Sequence, residues 1–131
     1  MNKNNSLEVI KDCTTYIKNH LQDTLTAEAL ASRYGYSLYH FCHIFKICCD
    51  MSPGKYIRLL RLEKAKKDIL SGMSITQAGF DNGFETSSGF SKAFRKEYGI
   101  SAREYLKQNK ESEVLIMLHV EIKTLQSQTA L

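Results

Sequence analysis

The chain reads as an all-α domain of seven helices. Two short helix pairs are copies of one another, joined by a long central helix, and a short extended or irregular C-terminal tail follows. Three observations predict this. First, the sequence repeats itself: Ala31, Gly35, Tyr36, Phe45, Lys46, Ser52, Pro53 and Tyr56 recur 48 or 49 places later as Gly79, Gly83, Phe84, Phe94, Arg95, Ser101, Ala102 and Tyr105. Second, one proline and seven glycines in 131 residues, with Leu, Lys, Ala, Glu and Ile spread throughout, favour helix over strand. Third, a hydroxyl side chain suited to capping stands before each run of helical periodicity: Thr26, Ser37, Ser52, Ser74, Thr86 and Ser101.

Taken in order, Leu7, Ile10, Thr14, Ile17 and Leu21 fall at helical spacing and predict an amphipathic first helix over 7–21 that braces the helices after it. Thr26 caps a short helix from Ala27 to Tyr34. Glu28 sits near its positive end, and Gly35 supplies the left-handed residue of the turn. Ser37 opens the next helix, 38–49. Ser52 followed by Pro53 starts the long helix, which carries Ile57, Leu60, Leu62, Ala65, Ile69 and Leu70 and stops at Gly72. Its 18 or so residues span about 27 Å at 1.5 Å per residue. Ser74 with Gln77 has capping-box spacing and opens a helix over 75–82 that Gly83 ends; Thr86 caps a sixth, to Tyr98. Ser101 with Glu104 is a second capping box, before a last helix over 102–109. From Glu111 the character changes. Val120, Ile122 and Thr124 alternate with Glu121, Lys123 and Leu125, so a strand competes with a helix, and a boundary is expected near residue 110.

Composition narrows the function classes. A chain of this length buries roughly two thirds of its unfolded surface and needs no covalent staples. The first residues, MNKNNSLEVIKDC, lack the apolar run of a secretory signal. The longest unbroken apolar stretch, Val114 to Leu118, is far too short to span a bilayer. A cytosolic protein without membrane contact is expected. In that compartment Cys13, Cys42, Cys48 and Cys49, which show no CxxC spacing, read as small buried hydrophobes. Net charge is +4, and between Arg33 and Lys107 thirteen Lys or Arg face seven Asp or Glu. That surplus suits a polyanion, although a basic excess is also what a solvated surface carries.

A small residue, a glycine four places on, an aromatic, and then a helix with phenylalanines and a cation is the spacing of a helix-turn-helix. It occurs twice, over about 26–49 and 74–98. On helix 38–49, Phe41, Ile44, Phe45 and Cys48 form the stripe expected to be buried, which leaves Tyr39, Cys42, His43 and Lys46 on the outer one. The corresponding outer positions of the second unit are Ser88, Ser91, Lys92 and Arg95, with Phe90, Phe94 and Tyr98 inward. Such an outer stripe is ordinarily a wet helix face. Its recurrence with the caps and glycine turns, on either side of a stiff spacer near one DNA turn long (about 34 Å), points to two recognition helices entering successive major grooves.

Other constellations point to less. His40, Cys42 and His43 diverge too far along one helix to chelate a metal, so neither metal nor cofactor is expected. Arg58, Arg61, Lys64, Lys66 and Lys67 encircle the long helix; only some of them can face DNA, and Arg61 is expected to pair with Glu63 or Asp68. No Ser-His-Asp order, phosphate loop or HExxH occurs. A thiol-based alkyl transferase using Cys13 or Cys42 is an enzyme reading with nothing in the sequence to activate either sulfur. A protein-interaction module on a decayed helix-turn-helix scaffold is the non-enzymatic alternative. Its support is the small-residue surface of Ser87, Ser88, Gly89 and Ser91, with Val114 to Leu125 free to dock a partner.

The stretches LTAEALASRYGYSLYHFCHIFKICCDMSPGKYIRLLRLEKAKKDIL and SITQAGFDNGFETSSGFSKAFRKEYGISAREY resemble the DNA-binding domain of the AraC/XylS transcriptional regulators, over roughly residues 8–107. The resemblance implies two helix-turn-helix subdomains on a long helix, binding asymmetric double-stranded DNA as a monomeric unit and activating transcription beside RNA polymerase. Placement at the N-terminus resembles the stress and multidrug-resistance activators and relatives with an appended GyrI-like effector domain. VEIKTLQSQTAL is similar to the opening strand of such a domain, which would make 111–131 a truncated remnant of it. By position the resemblance adds Ser87 to the DNA-facing set. Departures are Asp50 where glycine is common, Gly79 where alanine is expected, and Ser101-Ala102 in place of Ser-Pro. The reading side chains also differ from those of the stress activators, so their operator does not transfer.

Overall fold

A computed structural model describes residues 3–129. Among them lie seven α-helices: α1 Lys3–Asn19, α2 Ala27–Arg33, α3 Leu38–Cys49, α4 Pro53–Leu70, α5 Ile75–Asp81, α6 Ser87–Tyr98 and α7 Ala102–Thr129. Six of the seven starts directly follow the predicted cap, and α1 begins at Lys3, four residues before the predicted start; the caps at Thr26, Ser37, Ser52, Ser74, Thr86 and Ser101 each accept from the backbone N–H three residues on.

The helices enclose two separate cores. The first gathers Ile10, Cys13 and Ile17 of α1, Leu30 and Ala31 of α2, Phe41, Ile44 and Phe45 of α3, and Ile57 of α4. The second gathers Leu62, Ala65 and Ile69 of α4, Ala78 of α5, Phe90 and Phe94 of α6, and Ala102 of α7. Helix α4 therefore serves one core with its N-terminal half and the other with its C-terminal half. Phe41, Phe45, Phe90 and Phe94 are completely enclosed, and truncating any one to alanine would cost about 3–5 kcal/mol. Helix α1 is held to the first unit from outside the core as well. Arg33 lies over the Tyr16 ring at 4.0 Å, and the Tyr34 hydroxyl donates to Asp12 at 2.7 Å.

Three expectations need correction. Residues 111–129 are not an extended or irregular tail: α7 runs unbroken through the expected boundary near 110 to Thr129, while residues 130–131 lie outside the described region. Short apolar runs fit either period, and no glycine or proline separates 120–125 from the helix before it. Cys48 does not belong to the buried stripe of α3. It is exposed, and half-buried Cys49 packs on the first core instead. Arg61 pairs with neither Glu63 nor Asp68, because backbone carbonyls just past α1 lie within its reach and take its donors instead.

Candidate nucleic-acid interface

Both helix-turn-helix units are built from the same local devices. In the first, Gly35 adopts φ 75°, and the N–H of Tyr36 reaches back to the Ala31 carbonyl at 2.9 Å. In the second, Gly83 adopts φ 90°, and the N–H of Phe84 reaches the Gly79 carbonyl at 3.0 Å. A side chain at either glycine would be strained in that left-handed conformation, and the turn it makes sets the direction of the following helix. Tyr36 and Phe84 then drop inward beside Phe41 and Phe90. Asp50 also takes the left-handed conformation, at φ 59°, so it serves at the end of α3 where glycine would be easier.

With the aromatic stripes inward, the opposite faces of α3 and α6 meet solvent. On α3, Tyr39 is 83% exposed and stacks parallel to His43, ring centroids 6.2 Å apart; Lys46 is exposed one turn further on. Cys42 stands apart from these three, half-buried and packed against the first core. Ile47 is 70% exposed, an apolar side chain on this helix that periodicity alone did not single out. On α6, Ser87, Ser88, Ser91, Lys92 and Arg95 are all exposed.

Four of these line one groove. Ser87, Ser91, Lys92 and Arg95 share a depression of about 550 Å³ with Thr76 of α5 and with Ser101 and Arg103 at the start of α7. Hydroxyls and two guanidinium groups thus converge on the exposed side of α6, a set suited to phosphate oxygens and base edges. Lys92 also borders a second groove, of about 420 Å³, between α6 and α4, where Lys55, Arg58 and Lys96 outnumber Glu97. Thr76, Arg103, Lys55 and Lys96 were missed from sequence, because nothing in one helix's periodicity says which side chains of its neighbours border it.

Three further cations of α4, Arg61, Lys64 and Lys66, are taken up structurally. Lys64 pairs with Asp68 and Lys66 with Glu63, each at 3.0 Å. Arg61 turns away from both carboxylates and donates to the carbonyls of Leu21, from Nε at 3.0 Å, and Asp23, from Nη2 at 2.8 Å. Its partial burial pulls its pKa below the ordinary arginine range. The Tyr98 hydroxyl and Lys66 lower the Glu63 carboxyl, while burial and the bond to Glu63 push Tyr98 upward. Cys13 is fully buried and, mainly for that reason, pushed up to about 12, so its sulfur is a packing group and not a nucleophile. Among the described residues no three His, Cys, Asp or Glu side chains are grouped to hold a metal ion, and no helix is long and apolar enough to cross a membrane.

Paired helix-turn-helix units presenting polar ridges define a nucleic-acid-binding class of protein, and comparison with known proteins makes the assignment specific. A family model described as a helix-turn-helix domain matches residues 30–108. The HTH-type transcriptional activator RhaS of Escherichia fergusonii is 34% identical over 90 residues, 68% of this chain and 32% of RhaS. The crystal structure of an AraC-type DNA-binding-domain regulator from Chromobacterium violaceum superposes with a TM-score of 0.72 at 26% identity, covering 79% of this chain and 94% of that one. The DNA-binding domain of AdpA, solved in complex with a target DNA, shares the fold with a TM-score of 0.75 at 19% identity, covering 79% and 94%. The chain belongs to the AraC-type helix-turn-helix family of DNA-binding transcriptional regulators. Its matched segment spans about a third of the length of RhaS.

Proposed function

We propose that this chain is a sequence-specific transcriptional activator that inserts α3 and α6 into successive major grooves on one face of the duplex. The DNA-binding unit is residues 8–107, with helix-turn-helix units over about 26–49 and 74–98. Tyr39, Cys42, His43 and Lys46 read or position the first half-site. Ser87, Ser88, Ser91, Lys92 and Arg95 do so at the second, and Thr76 and Arg103 hold phosphates at its edge. One copy suffices for one asymmetric site, and RNA polymerase is the partner through which it activates.

The observation that carries this reading is the duplication itself. Two units with the same caps, the same left-handed glycine turn and the same outward polar stripe are each anchored to one half of α4. A rod of about 27 Å between them suits grooves one helical turn apart. RhaS, an activator, and AdpA, held on its target DNA, supply the family precedent.

Selection of bound fragments from a genomic library, followed by fluorescence anisotropy, tests it. Recovered fragments should share one motif, and with about six to ten phosphate contacts affinity should fall on the order of 10³ to 10⁵ between 50 and 200 mM salt. Absence of any enriched motif would reject sequence-specific binding and leave the interaction-module reading.

A further inference from the structure

Of the cations that encircle α4, Arg61, Lys64 and Lys66 are engaged within the protein, whereas Arg58 is exposed and makes no ion pair among the described residues. The same holds for Lys55, one turn before it, and for Lys92 and Lys96, one turn apart on α6. These four side chains border one groove of about 420 Å³ between the first turns of α4 and the side of α6, with Glu97 as its single carboxylate. Leu59 and Leu62 line it as well, and apolar walls around charges of one sign focus their field into the groove. Like charges gathered there repel one another, and an anion relieves the repulsion.

The place of the groove selects the anion. Lys55 and Arg58 follow closely on α3, the second helix of the first helix-turn-helix, while Lys92 and Lys96 stand on α6, that of the second. Lys92 also borders the depression on α6 that Ser91 and Arg95 line. We infer that this groove clamps the sugar-phosphate backbone of the DNA strand that runs between the two half-sites, with Lys55 and Arg58 on one side and Lys92 and Lys96 on the other. The inference rests on the proposed insertion of α3 and α6. Residues three or four places apart on a helix stand about 5–6 Å from one another, so each pair can hold neighbouring phosphates. Such contacts fix register and carry no sequence information, and Glu97, facing the same backbone, opposes them.

Anisotropy titrations of the full chain test this, on a duplex recovered by selection and on a scrambled duplex of equal length. Each phosphate contact contributes about 0.9 to the slope of log affinity against log salt, so the double variant Lys55→Ala, Arg58→Ala should lower that slope by about two. Both duplexes should weaken alike, leaving the preference for the selected one unchanged. The charge-conserving pair Lys55→Arg, Arg58→Lys should keep the wild-type slope, and Glu97→Gln should tighten binding to both duplexes.

Wild type that binds neither duplex rejects the insertion of α3 and α6 and the clamp together. Wild type that binds while the double alanine variant keeps the full slope overturns the clamp alone. A loss confined to the selected duplex also overturns it, because those side chains would then read bases. Unchanged or weaker binding by Glu97→Gln puts the groove outside the reach of the backbone. A double alanine variant that retains DNA affinity but no longer activates transcription overturns the clamp in favour of an acidic protein partner.

Discussion

Arg61 lies against Gly83 so closely that a Cβ on the glycine would sit 2.8 Å from the guanidinium carbon. The same guanidinium donates to the carbonyls of Leu21 and Asp23, just past the first unit's bracing helix. One side chain on the linker therefore touches both halves, and the glycine that makes the second turn also makes room for it. Gly83→Ala should cost about 2–4 kcal/mol, combining left-handed strain with the clash. Arg61→Ala should cost about 1–3 kcal/mol by leaving carbonyls unpaired. Because the two residues share one contact, urea denaturation of the double variant should show a smaller loss than the sum of the singles. Strict additivity would contradict a direct contact.

Gly79 and Gly54 offer a paired test of packing against propensity. Alanine at Gly79 would place Cβ 2.8 Å from Cδ2 of Phe90, whose ring is enclosed in the second core, whereas nothing lies within 4 Å at Gly54. Helix propensity alone favours both substitutions by up to about 1 kcal/mol. The clash should reverse the sign at Gly79, for a net loss of about 1–2 kcal/mol, and leave Gly54→Ala neutral or stabilising. Equal thermal shifts in the two variants would show that Phe90 yields freely.

Acid should weaken the second unit through Asp68. Its carboxylate accepts from buried Asn82 at 2.9 Å and from Lys64, and these partners hold its pKa below the ordinary aspartate value. A depressed folded-state pKa contributes stability that is present above about pH 4 and lost as pH falls through the folded value. The urea midpoint of wild type minus that of Asp68→Asn should accordingly be constant from pH 5 to 7 and shrink below pH 4. A difference that grows on acidification would reverse the assignment.

Lys92 stands where two grooves meet, so it is the side chain whose removal separates phosphate from base contact. If it holds a phosphate, Lys92→Ala should weaken all DNA sequences alike and lower the salt slope by about one. If it reaches a base edge, it should cost about 1–3 kcal/mol on the selected site only. Anisotropy titrations at several salt concentrations distinguish the two. Unchanged affinity on the Lys92→Ala, Arg95→Ala pair would remove α6 from the interface.

Much of this was legible in the sequence because the chain states it locally. Caps such as Thr26 and Thr86, the glycines at 35 and 83, and the phenylalanine stripes each act within one helical turn, so α2, α3, α5 and α6 could be placed from spacing alone. What failed depends on contacts between elements. Arg61 binds carbonyls 40 and 38 residues away instead of the nearby acids, and the choice between Cys48 and Cys49 as the core residue turns on a single step around α3. The course of α7 past Asn109 was misread because alternation over a few residues cannot outvote an uninterrupted helix, one that no glycine or proline ends.

The proposed reading of two grooves by one chain is measured most directly by a hydroxyl-radical footprint with guanine-methylation interference on a selected site. Two protected windows should appear on the same face of the duplex, their centres about 10–11 base pairs apart, with Tyr39→Ala erasing contacts in one and Arg95→Ala in the other. A single window, or two windows on opposite faces, would contradict simultaneous insertion of α3 and α6.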